Sequence, residues 1–302
     1  MSLPSETLFA VCATLSPSSL ATLARVSVRF NSIAERVLYS SIIVFDDRTI
    51  IWAEALKRRP HLLDIVRRVQ IRWTTPPQYH HQLLDICERV NNVLRYCVSL
   101  DALELLVGPA NLAIGTGSIH PIERIVHGCA FPNLRTCSLG AEWAKGAQTY
   151  SNTLVAFLSR LPAVTALRIS DLRGSTLEML PPTALPLLAS FRGTADAAAS
   201  LLPGRPVHHL ALVGQDSDVG RENLVRFTFT RTPLKHLDLA AMTIRPMLLR
   251  IISAHLPSLE SLRIRFALRH TLHYAFTGIV SCFPALPVYN WTQTSHRGSS
   301  QA

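Results

Sequence analysis

The chain is 302 residues long, with 48% apolar and 17% charged residues and a formal net charge of +10. That apolar content can bury a sizeable core and excludes a disordered composition. No apolar run reaches the ~18 residues of a membrane span.

The opening stretch, Leu3 to Phe30, carries Leu8, Val11, Cys12 and Leu15 at the spacing of one helical face. Pro4 sits where a first helical turn tolerates proline. Ser16-Pro17 ends one helix and begins another, with Ser16 as cap and Pro17 in the first position. Leu20, Leu23 and Ala24 make a second apolar stripe, and Phe30, Ile33, Ala34 and Val37 a third. The β-branched "SIIVF" at 41–45 predicts a strand. Three short helices in so few residues fall below the size at which a chain usually stabilises itself, so the block must pack on the body, on a partner, or on both. The "LFAVCATL" run lacks the basic flank of a signal peptide, and the expectation is an intracellular protein, cytoplasmic or nuclear.

The order Leu3-Pro4-x-Glu6-x-Leu8-x-x-Val11, then Leu15-Ser16-Pro17-x-x-Leu20, Leu23-x-x-Val26-Ser27-x-x-Phe30 and Leu38-Tyr39, resembles an F-box. Val11 and Phe30 stand where that family often has isoleucine and tryptophan. The resemblance implies docking on a Skp-type adaptor within a cullin–RING ubiquitin ligase. On it, Leu3, Pro4, Leu8, Val11, Leu20, Leu23, Val26 and Phe30 form the docking surface and the core beneath it. The alternative is an N-terminal helical cap that simply covers the following domain.

Residues 1–48 hold four arginines and four carboxylates, so the whole positive excess lies downstream. A neutral head and a basic body are expected: 1–48, then 49–290, then a polar, aperiodic tail at 291–302 that predicts disorder. In the body one phrase recurs, apolar-x-x-apolar-x-apolar, at 66–72, 100–106, 131–140, 161–170, 185–193, 206–214, 232–240 and 256–265. Its last position falls on Ile71, Leu105, Leu139, Ile169, Gly193, Leu212, Leu239 and Ile264. These intervals of 19 to 34 residues resemble an irregular leucine-rich repeat. The segments 78–100 and 246–256 read as connecting helices. The expected fold is therefore α/β: a three-helix head, then an irregular solenoid of parallel strands with outer helices. No repeat carries the Asn or Cys that forms a buried ladder in regular families, and Gly193 stands where an apolar side chain is expected.

Strand residues alternate faces. The positions between the apolar ones predict a concave face carrying Arg68, Arg72, Arg168, Arg192, His209, His236, Arg263 and Arg265 as candidate client-binding residues, with Glu104 and Asp238 as its carboxylates. Arginine's planar fork suits carboxylate and phosphate, so the expected client is an acidic or phosphorylated protein segment. An ordinary solvated face is the plainer reading.

No Walker loop, zinc-protease or nucleophile-elbow motif is present, Gly115-x-Gly117 lacks a third glycine, and the six cysteines include no C-x-x-C. His80-His81 and His208-His209 are neighbours that diverge, and His270 and His273 lack a third ligand. Buried reduced thiols, no metal, no cofactor and no catalysis by this chain are expected. Against the ubiquitin-ligase receptor stands a scaffold or nucleic-acid-binding protein using its basic surface. The arginines are dispersed with little aromatic interleaving, which makes nucleic acid the weaker partner.

Overall fold

The computed structural model describes residues 4–73, 80–107, 120–141, 150–172 and 176–265. Gly115, Gly117, His270, His273, Cys282 and the tail at 291–302 lie outside the described residues, as does Leu3.

The head is three helices: α1 (Ser5–Cys12), α2 (Pro17–Leu23) and α3 (Val28–Ser40). Ser16 Oγ accepts from Ser19 N and Ser27 Oγ from Phe30 N, each at 3.2 Å, so a serine caps the second and the third helix. Leu8, Cys12, Leu20, Ile33 and Ala34 form a small core of their own, bordered by Leu23, Phe30 and Val37. α3 runs directly into β1 (Ser41–Phe45). The head thus hands over to the body without a linker, and the sheet begins before residue 49.

The body alternates strands with helices: α4 (Arg48–Arg58), β2 (Arg68–Trp73), α5 (His80–Leu94), β3 (Ala102–Val107), α6 (Pro121–Val126), β4 (Thr136–Ala141), α7 (Asn152–Leu158), β5 (Ala166–Ile169), β6 (Ser190–Gly193), α8 (Ala195–Leu201), β7 (His209–Gln215), α9 (Arg221–Phe227), β8 (His236–Thr243), α10 (Pro246–His255) and β9 (Ser261–Arg263). The nine strands form one sheet in sequence order, and every neighbouring pair is parallel. Each of the eight recurring phrases supplies a strand, β2 to β9, and "SIIVF" supplies β1. The architecture is mixed α/β with a solenoid-like stack behind a helical N-terminal region.

Register turns the irregular phrases into columns. Val44, Ile71, Leu105, Leu139, Ile169, Gly193 and Leu212 stand side by side, as do Ile42, Val69, Leu103, Cys137, Leu167, Phe191 and Leu210. Both columns join the helices in one continuous core. Among the described residues the other face carries no helix layer, and β1, β2, β3, β5 and β6 alternate buried with half-buried or exposed positions. Parallel sheets are usually covered on both faces and read as continuous apolar runs; one open face explains the alternation here.

A backbone device repeats where the sequence does not. The carbonyls of Arg67, Asp101, Arg135, Thr165, Ala189, His208 and Lys235, just before successive strands, each accept from two consecutive N–H groups of the next unit at 2.7–3.1 Å. With no asparagine ladder, irregular side-chain staples add to it. Buried Asn91 donates to the carbonyls of Ile125 and His127 at 2.7 and 2.8 Å. Buried Arg205 donates to the carbonyls of Pro181, Ala184 and Leu201. Glu123, fully buried, accepts from the N–H groups of Ser151 and Leu154 at 2.7 and 3.0 Å and so caps α7.

Gly193 fills its apolar column without a side chain because a neighbour occupies the space. A Cβ there would lie 2.7 Å from Phe191 Cζ and 2.8 Å from the Ile169 carbonyl oxygen. The buried Phe191 ring takes the volume that leucine or isoleucine fills in the other strands. Gly193→Ala is therefore expected to destabilise the fold by about 1–3 kcal/mol through overpacking. In a Phe191→Leu background, which removes the ring, the same change should cost less, as chemical denaturation of the four chains will measure.

Candidate functional site

The open face of the sheet is built from the strand positions between the core columns. Along one column stand Ile43, Gln70, Glu104, Ser138, Arg168 and Arg192, one per strand from β1 to β6. Register makes Arg168 and Arg192 direct neighbours, about 4.8 Å apart at the backbone. A depression of about 410 Å³ lies over the middle of this face, with Arg68, Glu104, Ser138, Arg168 and Arg192 on its lining.

The arginines of the face differ in what they touch. Arg72 is held by Glu104 of the next strand at 2.9 Å, and Arg263 by Asp238 at 3.6 Å. Arg168 spends its Nε on Ser170 Oγ at 3.2 Å. Arg68 and Arg192 have no acceptor among the described residues, and Arg192 Nε and Ser138 Oγ are both buried without a partner. Burial, then the Arg192 charge beside it, hold the Arg168 guanidinium below its ordinary value, against the pull of Glu104. It stays charged, as arginine does in proteins. The result is two adjacent cations with one compensating carboxylate already committed to Arg72.

Further along, Ser190 Oγ and His209 Nδ1 are 2.9 Å apart. The His209 and His236 rings lie 6.1 Å apart and those of His208 and His236 6.4 Å apart. His236 thus lies close to both His208, just before β7, and His209, at its start. No group of three metal-ligating side chains is found among the described residues.

The eight candidate client-binding residues all fall on or beside this face. Arg68, Arg168 and Arg192 are brought together in the depression; Arg72 is paired at its side; His209, His236, Arg263 and Arg265 lie along β7, β8, β9 and its exit. Ile43 and Phe45 of β1 add an apolar end to the same face, 55% and 43% exposed. The strand was legible in "SIIVF", but an unbroken apolar run gives no sign of which side is covered; the structure buries Ile42 and Val44 and leaves Ile43 and Phe45 exposed.

A second polar group, missed by sequence reasoning, is buried beyond the strand ends. His120 stacks on Tyr150 with ring centroids 4.0 Å apart. Tyr150 Oη donates to Asp171 at 3.0 Å, and His120 Nε2 lies 3.6 Å from Asp171 Oδ2. Burial, then the Asp171 charge, push the Tyr150 phenol well above its ordinary value. His120-Pro121 was the available signal, since His120 Nδ1 accepts from Ile122 N at the start of α6. The five described cysteines are free and buried. Burial pushes the thiols of Cys87, Cys97, Cys129 and Cys137 up to about 12, which removes them as nucleophiles.

On the head, Leu8 and Leu20 are buried, Leu23 and Phe30 are half-buried, and Pro4, Val11 and Val26 are exposed. Phe9, Val11, Leu15, Val26 and Val28 are large apolar side chains left 37–88% exposed within one small helical block. Residues 1–44 match the F-box-like family. No curated protein matches the chain. The chain therefore carries an F-box-like domain ahead of a nine-stranded parallel sheet.

Burial opposes charge on His209, and the neighbouring His236 adds to that, so its pKa lies below the ordinary 6.5 despite the pull of Asp238. The unfolded chain takes up this proton more readily than the folded one. The stability His209 supplies is thus present above pH ~6.5 and is lost as pH falls through that value toward the lower folded pKa. Between pH 7.5 and about 5.5, the denaturation midpoint of the native chain should fall more than that of His209→Gln.

Proposed function

We propose that this chain is the client-recognition subunit of an SCF-type cullin–RING ubiquitin ligase. The F-box-like match over residues 1–44, together with the apolar surface that α1 to α3 leave uncovered, carries this reading. The head docks a Skp-type adaptor through Leu3, Pro4, Val11 and Val26 at its surface, with Leu8, Leu20, Leu23 and Phe30 shaping the helices beneath. The open sheet face holds an acidic or phosphorylated client on Arg68, Arg72, Arg168, Arg192, His209, His236, Arg263 and Arg265. The chain itself is non-catalytic, and its chemistry is proximity: it keeps the client near the ubiquitin-carrying enzyme of the complex. Such a complex works in the cytoplasm or the nucleus.

The head and the sheet are joined in a way that suits this task. The Ser40 carbonyl accepts from Arg67 N at 2.9 Å, Glu35 of α3 pairs with Arg59 at 3.0 Å, and Tyr39 packs on the main core. A client on the face therefore keeps a fixed direction relative to the adaptor.

Full-length chain co-expressed with a Skp-type adaptor is expected to purify as a stoichiometric complex. Val11→Glu combined with Val26→Glu should abolish that complex while leaving the melting temperature within a few degrees, because both side chains are already exposed. A native chain that purifies alone would remove the reading.

A further inference from the structure

Two features of the open face are left unexplained by a general basic surface. Arg192 Nε and Ser138 Oγ are buried polar atoms with no partner among the described residues, and an unmet buried donor costs about 1–3 kcal/mol. They flank Arg168 on the same register column. Two arginines and a serine on adjacent strands thus line one depression, with the adjacent Glu104 bound to Arg72. Two positive charges and several donors match a phosphomonoester dianion better than a single carboxylate, since phosphate offers three terminal oxygens.

The second feature is the apolar end of the face. Ile43 shares the column of Arg168 and Arg192 but lies four and five strands away. At about 4.8 Å per strand this is roughly 19–24 Å. Phe45 flanks it on β1 and is likewise exposed. An extended peptide rising about 3.3 Å per residue covers that span in about six or seven residues.

We infer that the open face reads a two-part peptide: a phosphoserine held by Arg168, Arg192 and Ser138, and a bulky apolar residue about six or seven positions away, seated on Ile43 and Phe45. This rests on reading the face as the client-binding surface, and it fixes the spacing that this reading leaves open. The peptide crosses the strands and does not add to the sheet. Arg68, exposed at the side of the depression, adds long-range attraction to the phosphate.

Fluorescence polarisation with the full chain tests it. The probes are labelled Gly/Ser/Ala peptides carrying one phosphoserine and one leucine, the leucine placed at increasing separations on either side. Affinity is expected to peak at a separation of about six or seven residues. Replacing phosphoserine by serine should weaken binding about tenfold or more, and by glutamate should recover only part of it. Arg192→Gln and, separately, Ser138→Ala should each weaken the phosphopeptide but leave the unphosphorylated one unchanged. Ile43→Ser should flatten the dependence on leucine position while sparing the phosphate effect. Phosphopeptide affinity unmoved by both Arg192→Gln and Ser138→Ala would overturn the phosphate subsite. Affinity independent of leucine position would overturn the two-part geometry, as would equal displacement of the peptide by a random single-stranded RNA. Adaptor capture measured on the same preparation separates the two claims: peptide selectivity without adaptor binding sinks the ligase reading and keeps this one.

Discussion

Parallel pairing in one register from β1 to β7, with a shift at Ala211/Val213 where β7 meets β8, is the constraint on which the rest of the molecule depends. Seven carbonyls, each taking two N–H groups from the following unit, hold the start of each strand from β3 to β9 level with the one before it. Once that is fixed, every second side chain falls into a column. Columns facing the helices must be apolar throughout, because the core runs unbroken from β1 to β9. Columns on the other side are open, and there the sequence is free to gather charge. Arg168 beside Arg192 is the outcome: like charges directly opposite across a strand pair are unfavourable, and both are partly desolvated. The fold tolerates the pair because the rest of the sheet is heavily buried.

The same constraint shapes the head. A block of three helices whose small core holds Leu8, Cys12, Leu20, Ile33 and Ala34 cannot bury all its own apolar surface. It gains part of the deficit by feeding α3 straight into the first strand, which makes β1 both the end of the head and the edge of the sheet. The remainder, at Phe9, Val11, Leu15, Val26 and Val28, stays exposed on the F-box-like domain.

Much of this was legible in the sequence, and the gaps have physical causes. The apolar-x-x-apolar-x-apolar phrase located all of β2 to β9, since period-2 alternation is a strong signal when only one face is buried. The basic face followed from the same alternation. What did not follow was which arginines are free. Arg72 and Arg263 take carboxylates from a neighbouring strand, at Glu104 and Asp238, and that pairing exists only once register is known. Gly193 read as a defect because the filling group is Phe191, two residues back. The missing asparagine ladder read as a weakness because its replacement is mostly backbone, which leaves no side-chain trace. Asn91, Glu123 and Arg205 are buried staples whose acceptors or donors lie in another unit, and single polar residues in a helix or loop do not announce such partners.

Cross-linking measures the register directly. Ala166 of β5 and Ser190 of β6 are register partners on the open face, within the ~4.4–6.8 Å Cα separation that a disulfide requires. The chain carrying Ala166→Cys and Ser190→Cys should form that bridge readily under mild oxidation. The offset pair Ala166→Cys and Arg192→Cys should not. Equal bridging by both pairs, or none by the first, would show that Arg168 and Arg192 do not stand side by side, and the cationic site would have no basis.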